Sequence, residues 1–557
     1  MFCSLIHAFV IVTVVFVSEL VYGHTVYNSQ DALRQVRLDI KKTTVKLTKV
    51  NHLRDEVLTK LSLEQLSGPI KKANVNNSLN NYLPYVLTEK DYLRYPAAEY
   101  PAYFKFDSNP GANELEFHVW LQTDQDIFFN ASDYNIFNGL IDGTNPNASV
   151  VDRLWIRRLR PSMEGTLANY FNFLINPDFG LTQSRIFDAF LDINYLRILG
   201  LQTGLQMSLV SGIENYFDNF SYLSRAYTME MSNPAMMAPD REFGIVLHGS
   251  LGPSGHEPYY RGLSYLGFDD MFSYQVGIFN GTPDNSNPGV DIIDTAGISG
   301  FNGAFSTSGS KAVEARVFFN PFLDKDSSVL QHLGFGFAGS YENVLSEFNL
   351  PPLVSIGQNQ IFSLAAEALG PRSRLHPQAI WYAGPMGILT DWAQTNQGVC
   401  GTDDIFTVSK CITQKSRSSQ IQFIYNLTQE DFNLFHLEPN NNFHPFVHDA
   451  YGAWQMVMRF TSLNIDKNIF QPGYLYFPPY PPVEVYPYAN PTESIQKSNS
   501  WSIGVNWYWT MAIRFTAEYA RTEFTGGHCL AYSYSDCLKI TNRPAENIFM
   551  QRFQVSF

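Results

Sequence analysis

The segment Asn547–Phe557, Asn-Ile-Phe-Met-Gln-Arg-Phe-Gln-Val-Ser-Phe, alternates apolar and polar side chains with the period of a β-strand. The apolar parity holds Phe549, Phe553, Val555 and Phe557, and the polar parity holds Arg552, Gln554 and Ser556. In an exported chain without a spanning helix, a strand that ends on an aromatic residue predicts an antiparallel transmembrane β-barrel closing at its C-terminus. The alternative is an edge strand of a secreted β protein.

Residues 1–23 predict a signal peptide. They lack charge as far as Ser18, contain the apolar run Ile6–Val17, and end in the cleavage pattern Val21-Tyr22-Gly23, which leaves His24 as the mature N-terminus. The alternative is a retained signal anchor. No later stretch approaches the ~18 apolar residues that a spanning helix needs, so a mature chain in a membrane would be there as a barrel.

The composition agrees with a barrel. Aromatic residues make up 15% of the 557 residues, while hydrophobic residues make up 45% and charged residues only 16%. Aromatic girdles and strands with one polar face give such values. The formal net charge of −14 argues against nucleic-acid binding by the main body of the chain.

Residues 24–74 predict a helical coiled coil in the periplasm. Their 3-4 spacing runs through Leu33, Val36, Ile40, Thr43, Leu47, Val50, Arg54, Val57 and Leu61. A helix with a single apolar seam either pairs with copies of itself or folds back on the barrel. Its basic outer face is either a solvated surface or a contact with an anionic surface. Residues 75–111, rich in Asn, Tyr and Pro, are interpreted as a linker.

Residues 112–557 are interpreted as the barrel, with about 16 strands at roughly ten residues per strand plus a turn or loop. The predicted strands are Leu115–Phe129, Leu154–Pro161, Asn169–Leu174, Ile186–Tyr195, Phe243–Leu247, Tyr274–Phe279, Ala312–Phe319, Phe335–Tyr341, Gln420–Tyr425, Ala453–Phe460, Trp501–Tyr508 and Met511–Ala520. The last two form a hairpin that turns at Trp509-Thr510. Asp391–Ser419 and Asn464–Ser498 are interpreted as long loops.

Four cysteines remain after removal of the signal peptide. Cys400 and Cys411 form one close pair, and Cys529 and Cys537 form the other. Three connectivities are possible, and two local disulfides are the simplest for an exported protein. Metal ligation is the alternative, but neither pair has the spacing of a zinc site.

A series of motifs resembles the phosphate-selective porin O/P family over about Leu115–Phe557. The motifs are Ile156–Thr166, Asn176–Gly180, Asp188–Tyr195, Pro239–Gly249, Val276–Gly281 and Asn506–Tyr508. The resemblance implies a trimeric 16-stranded outer-membrane channel whose loop after the fifth strand, here about Gly212–Pro239, folds into the lumen. It also implies that an arginine-rich strand attracts anions.

The candidate pore residues are Arg157, Arg158, Arg160, Arg225, Arg241 and Glu214. In a regular strand Arg157 cannot share a face with Arg158 and Arg160, so all three line the pore only if the strand is bulged or ends there. In the alternative interpretation these arginines pair with carboxylates such as Glu164 or Asp178 and hold the wall together.

Selectivity for phosphate is not favoured by the segment before the inward loop. Family members carry lysines there, whereas Gly204–Leu209 contains none. Since rings of Arg or Lys make an anion pore, general diffusion or transport of another small solute fits equally well.

Motifs for catalysis and cofactors are weak. His248–Gly252 lacks the first glycine of a nucleophile elbow, and His256–Pro258 does not continue into a zinc-binding helix. A hydrolase site would have to be assembled from distant strands. Asp284–Asn287, with Asp291 and Asp294, either binds calcium or is a polar turn.

These observations predict a passive porin of the bacterial outer membrane that is not an enzyme and has no cofactor. Its expected partners are outer-membrane lipids, small hydrophilic solutes and, as a homotrimer, copies of itself. One alternative is a channel specific for phosphate or dicarboxylates. Another is a structural or adhesive surface protein with a plugged pore, whose long loops bind a partner.

We expect a peptide of residues 24–74 to be helical and to self-associate, because its apolar seam needs a partner. Circular dichroism should show helicity that rises with peptide concentration. A peptide carrying Leu47→Asp, which places a charge in the seam, should stay monomeric. Equal helicity of both peptides at every concentration would contradict the coiled coil.

Overall fold

Sixteen segments of alternating side-chain direction form the wall of an antiparallel barrel in the computed structural model. The strands are β1 (Asn113–Phe129), β2 (Arg153–Leu167), β3 (Phe171–Asp178), β4 (Arg185–Leu196), β5 (Leu199–Met207), β6 (Arg241–Ser254), β7 (Asp270–Phe279), β8 (Ala312–Phe319), β9 (His332–Glu347), β10 (Glu367–Ala383), β11 (Met386–Gly401), β12 (Lys410–Asn426), β13 (Ala453–Asn464), β14 (Ile495–Tyr508), β15 (Ile513–Cys529) and β16 (Glu546–Ser556). Each strand pairs with its neighbour in the chain.

The last strand closes the barrel. β16 pairs with β15 on one side and with β1 on the other, where the register runs from Trp120 opposite Ser556 to Phe129 opposite Asn547. Closure removes the two free sheet edges, whose unpaired N–H and C=O groups would be unsatisfied in lipid. The predicted all-β barrel of about 16 strands and its closure through the C-terminal segment are therefore confirmed.

The structure describes residues 104–109, 113–129, 152–168, 171–180, 185–196, 198–212, 233–254, 270–281, 310–323, 329–347, 350, 352–401, 410–433, 437–475, 483–530, 532–533, 536–537 and 539–556. The predicted signal peptide and coiled coil lie outside these residues. Within them, no helix has the length and apolar character needed to span a membrane.

Smaller elements extend the barrel at both ends. The short strands Phe104–Asn109 and Ile540–Asn542 pair with β1 and β15, and the first of them lies within the segment interpreted as a linker. Three two-stranded ribbons pair Leu353–Val354 with Gln360–Phe362, Gly473–Leu475 with Val483–Val485, and Tyr532–Ser533 with Asp536–Cys537. Helix α1 (Asn233–Met236) and a 3-10 helix (Lys467–Phe470) complete the fold.

The two ends of the barrel differ in the length of their connections. At the end where β1 begins and β16 ends, β10 and β11 are joined by Gly384 and Pro385 alone, and β14 and β15 by residues 509–512. Residues 427–452 are a long connection at this same end. We call it the turn end, and the opposite end, which carries long connections such as 208–240 and 465–494, the loop end.

The two faces of the wall have opposite chemistry. Outward side chains are mostly apolar and exposed, whereas the inward side chains of the same strands are mostly polar and buried. Exposed outward residues include Phe243, Ile245, Leu247, Val276, Ile278, Val313, Val317, Phe335, Phe337, Phe460, Ile503 and Phe553. An apolar outer band around a polar interior is the pattern of an outer-membrane barrel.

Three strands were missed by the sequence analysis, namely β5, β10 and β11. The prediction that Asp391–Ser419 is a loop was wrong for residues 391–401 and 410–419, which are strand, and residues 402–409 lie outside the described residues. β11 and β12 contain 16 and 17 residues, more than the ~9–11 that cross a bilayer. Towards the loop end their outward positions are polar, for example Asn396 and Lys415. A strand segment with polar side chains on both faces lacks the apolar alternation that identifies a strand, so its sequence resembles that of a loop.

We expect Leu247→Arg to destabilise the barrel by about 2–4 kcal/mol, because Leu247 lies in the middle of the outward apolar run of β6, where a charge would face lipid. Unfolding by denaturant in lipid vesicles measures this free energy.

The matched control is Leu345→Arg. Leu345 is also outward and exposed but lies at the loop-end terminus of β9, where the cost should be about 0–1 kcal/mol. If the two substitutions lowered the free energy of unfolding equally, the assignment of Leu247 to the middle of the apolar band and of Leu345 to its edge would be wrong.

Candidate pore lining and inward segment

A β-bulge in β2 brings three arginines to the lumen face. The register on β1 passes from Arg158 directly to Ile156, so Arg157 is an extra residue on β2. An extra residue shifts the side-chain alternation, and so Arg157, Arg158 and Arg160 are all buried, at 8%, 1% and 2% exposure. The bulge is the condition under which all three can share the inner face.

The arginines alternate with aromatic rings in a ladder. The guanidinium carbons of Arg158 and Arg160 lie 5.2 and 5.1 Å from the centre of the Trp120 ring. Those of Arg160 and Arg241 lie 3.6 and 4.1 Å from the Phe187 ring. Ring faces attract cations, so each of the two rings stabilises two guanidinium groups.

Phe187 reaches this position through a second bulge. Its strand, β4, shifts register opposite Asn176 and Pro177, so that Phe187 is the extra residue and both it and Asp188 are buried. Bulges re-aim side chains in this way at the edge of functional sites. Two bulges on nearby strands therefore build one ladder, which we define as Arg158, Trp120, Arg160, Phe187 and Arg241.

Buried carboxylates balance the ladder. Arg160 Nε donates to Asp178 Oδ2 at 2.8 Å. Arg241 Nε donates to Asp188 Oδ1 at 2.5 Å, and its Nη1 donates to Asp240 Oδ1 at 2.6 Å. The alternative in which the arginines pair with carboxylates is thus observed for Arg160 and Asp178.

A hydrogen-bonded chain joins the ladder to the closing seam. Arg158 Nη1 donates to Gln122 Oε1 at 2.6 Å, and Gln122 Nε2 donates to Gln554 Oε1 at 2.8 Å. Gln554 Oε1 also accepts from Arg514 Nη2 at 2.8 Å. Beside this chain, Arg552 binds Asp124 through two hydrogen bonds of 2.8 and 2.6 Å. Hydrogen bonds between inward polar side chains thus connect β15, β16, β1 and β2.

The residues that follow the fifth strand, 208–212, run inward, and we call them the inward segment. Residues 213–232 of the predicted loop Gly212–Pro239 lie outside the described residues. Leu209 N donates to Glu314 Oε2 at 2.7 Å, and Val210 O lies 2.8 Å from His376 Nδ1. Glu314 is on β8 and His376 on β10, so the segment leaves β5 and lies against inward side chains three and five strands away. A Cβ on Gly212 would lie 2.7 Å from His376 Cε1, which explains the glycine at this close contact.

Helix α1 and the residues after it lead into β6 and contact the wall at β11. Met237 O accepts a hydrogen bond of 3.0 Å from Thr395 Oγ1 on β11. Next to this contact, Arg372 donates to Glu342 and Glu347 at 2.9 and 2.6 Å. A small cavity lies here, lined by Met237, Leu350, Leu353, Phe362, Leu364, Arg372, Thr395, Gln397, Gln414 and Ser416.

An apolar cluster covers part of the loop end, and we call it the roof. It is formed by Met236, Met237, Leu353, Ile361, Phe362, Ala366, Ala393, Val399, Leu463, Ile465, Ile469, Phe470, Tyr488, Ala489, Ile495 and Phe524. These residues come from α1, the long connections and the loop-end termini of strands. The roof therefore packs these connections against the loop-end termini of the strands.

Hydrogen bonds from Arg543 connect the segments of the roof to the wall. Its guanidinium donates to the carbonyls of Gln360, Glu493 and Gly527. Burial lowers the pKa of Arg543, and the carboxylates of Glu546 and Glu493 act in the opposite sense. Burial likewise raises the pKa of Glu493. The disulfides Cys400–Cys411 and Cys529–Cys537 lie at the same end.

Of the candidate pore residues, Arg157, Arg158, Arg160 and Arg241 lie together on one side of the lumen, and Arg225 and Glu214 are outside the described residues. The sequence analysis missed Trp120 and Phe187, which complete the ladder, and Asp188, which pairs with Arg241. Inward parity in predicted strands could have indicated Trp120. The bulge that directs Phe187 inward has no recognisable signature in the sequence.

We expect Arg160→Ala to destabilise the protein by about 3–5 kcal/mol, because it leaves the buried carboxylate of Asp178 without its salt bridge. The double variant Arg160→Ala, Asp178→Asn should recover much of this loss. Unfolding free energies of the two single variants and the double variant form the cycle that measures the coupling. A coupling free energy near zero would contradict the structural pairing.

Residues 354–529 match the family described as phosphate-selective porin O and P. No curated protein was found to match the sequence. Similar solved structures include OmpT of Vibrio cholerae in its trimer form, with 9% identity and a TM-score of 0.42 over 80% of this chain and 100% of that chain.

Two further structures show the same level of similarity. The outer membrane channel DcaP of Acinetobacter baumannii has 11% identity and a TM-score of 0.45 over 81% of this chain and 99% of that chain. The anion-selective porin from Comamonas acidovorans has 8% identity and a TM-score of 0.44 over 80% of this chain and 100% of that chain. Over residues 354–529, from the ribbon before β10 to the end of β15, the chain is therefore similar to the phosphate-selective porins O and P.

Proposed function

We propose that this protein is an outer-membrane porin through which small hydrophilic solutes diffuse passively. The observation that carries the proposal is the closed 16-stranded barrel with an apolar exterior, a polar interior and a chain segment folded into the lumen after the fifth strand. The family match over residues 354–529 supports the same function. Passage needs no energy source, and selectivity depends on the groups that line the lumen.

The charges of the lumen favour weak ion selectivity. Most inward arginines described above have a carboxylate within salt-bridge distance, as Arg160, Arg241, Arg372 and Arg552 do. Paired charges give a wall with little net potential, in contrast to the single-sign rings of strongly selective pores. Small neutral and weakly charged solutes fit such a wall.

A channel specific for phosphate or dicarboxylates is the second candidate, and the ladder favours it. Arg157 and Arg158 are adjacent, both face inward, and lie against Trp155 and Trp120 respectively. Guanidinium groups present N–H donors suited to phosphate or carboxylate oxygens. An anion moving along this wall would find several donors in succession.

The assembly and location are part of the proposal. We infer a homotrimer in the bacterial outer membrane, supported by the family resemblance, with residues 24–74 extending into the periplasm as a coiled coil. The turn end, where β1 begins, would then face the periplasm. Pore function does not depend on this extension, since the barrel of each protomer closes on itself.

The proposal is tested by single-channel recording of the refolded protein in a planar bilayer, with reversal potentials measured under a salt gradient. We expect stable conductance steps that are smaller than those of a wide porin, because inward side chains, inward segment and roof pack closely. Arg158→Ala should shift the reversal potential towards cation preference.

The matched control is Arg521→Ala. Arg521 is on β15, but its side chain faces outward and is 38% exposed, so its loss should leave the reversal potential unchanged. Block by added phosphate or dicarboxylate that weakens in Arg158→Ala would select the specific channel. Absence of any conductance from correctly folded protein would overturn the porin proposal and favour a surface protein.

A further inference from the structure

Three metal-ligating side chains meet inside the barrel near its turn end, away from the inward segment. Glu116 and His118 are neighbours on the inner face of β1, and Glu164 is on the inner face of β2. Glu116 and Glu164 are directly opposite each other in the register of the two strands. One ligand atom from each of the three residues lies within 4.8 Å of the others.

The two carboxylates converge on one imidazole nitrogen. His118 Nε2 lies 3.1 Å from Glu164 Oε1 and 3.6 Å from Glu116 Oε2. Two ligands placed 2.0–2.2 Å from one tetrahedral ion are about 3.3–3.6 Å apart. The two distances from Nε2 are therefore close to those between ligands of a single ion, and the carboxylate oxygens of Glu116 and Glu164 lie within 4.8 Å of each other.

Charge also favours a cation at this position. Two carboxylates directly opposite each other on paired strands repel and are destabilising. A divalent ion between the three groups would compensate both carboxylates. Since one nitrogen and two oxygen donors suit borderline divalent ions, the expected ligand belongs to the Zn²⁺ class.

We propose that Glu116, His118 and Glu164 bind a divalent transition-metal cation of the Zn²⁺ class at the turn end of the lumen. His118 is buried, while the side chains of Glu116 and Glu164 are 19% and 25% exposed, so the ion has a path from solvent. Three protein ligands leave a coordination position for water or for an anionic solute. Binding neutralises the two negative charges beside the passage.

The test is titration of Zn²⁺ into the refolded full-length protein in detergent, followed by calorimetry. We expect one Zn²⁺ per chain. His118→Ala should abolish this binding. Glu164→Gln preserves the shape of the side chain but removes its charge. Loss of a group that only supports a metal ligand weakens metal binding by about 10- to 100-fold. Because Glu164 is proposed to bind the ion directly, Glu164→Gln should weaken Zn²⁺ binding by more than that. X-ray absorption at the zinc edge should show only nitrogen and oxygen donors at about 2.0–2.2 Å.

The matched control is His448→Ala, because His448 also lies beside a carboxylate, that of Asp449 at 2.7 Å, but both are exposed. It should bind Zn²⁺ like the wild type. Heat-dependent gel migration verifies that every variant is folded. Absence of binding by the wild type, retention of binding by folded His118→Ala, or an equal loss in His448→Ala would overturn the proposal.

Discussion

The hydrogen bonds between β16 and β1 are the constraint on which the rest of the molecule depends. In lipid, an open edge would leave a row of backbone N–H and C=O groups without partners, so a sheet can cross a membrane only when it closes. Closure fixes which parity faces inward on every strand. Because a one-residue slip would exchange the two faces, the apolar exterior and the polar lumen follow from this single register.

Closure also forces charged side chains into a confined space, and the structure stabilises them by pairing. An isolated buried guanidinium would be costly, whereas one bound to a carboxylate and packed on an aromatic ring is compensated. The ladder shows both forms of compensation at Arg160, which contacts Asp178, Trp120 and Phe187. The same groups that shape a solute path thus also hold neighbouring strands in register.

Much of the fold could be predicted from sequence, because apolar alternation marks strands that face lipid. The C-terminal strand and the hairpin of β14 and β15 were confirmed for this reason, with the turn at residues 509–512 including Met511. β10 and β11 were missed because their outward faces become polar beyond the apolar band. The arginines were recognised by type, but their partners come from strands remote in sequence, and two bulges changed the parity of Arg157 and Phe187.

The length of β9 to β12 has a consequence for how the protein meets its surroundings. These four strands contain 16–17 residues each. A strand of that length is roughly 55 Å long, and when tilted by about 45° it spans roughly 40 Å along the membrane normal. The apolar band of such a barrel is only about 25 Å tall. On this side the barrel continues as a stiff collar roughly 15 Å tall. Over β9 to β12, a phage or antibody approaching from the loop end would meet ordered sheet with fixed side-chain spacing.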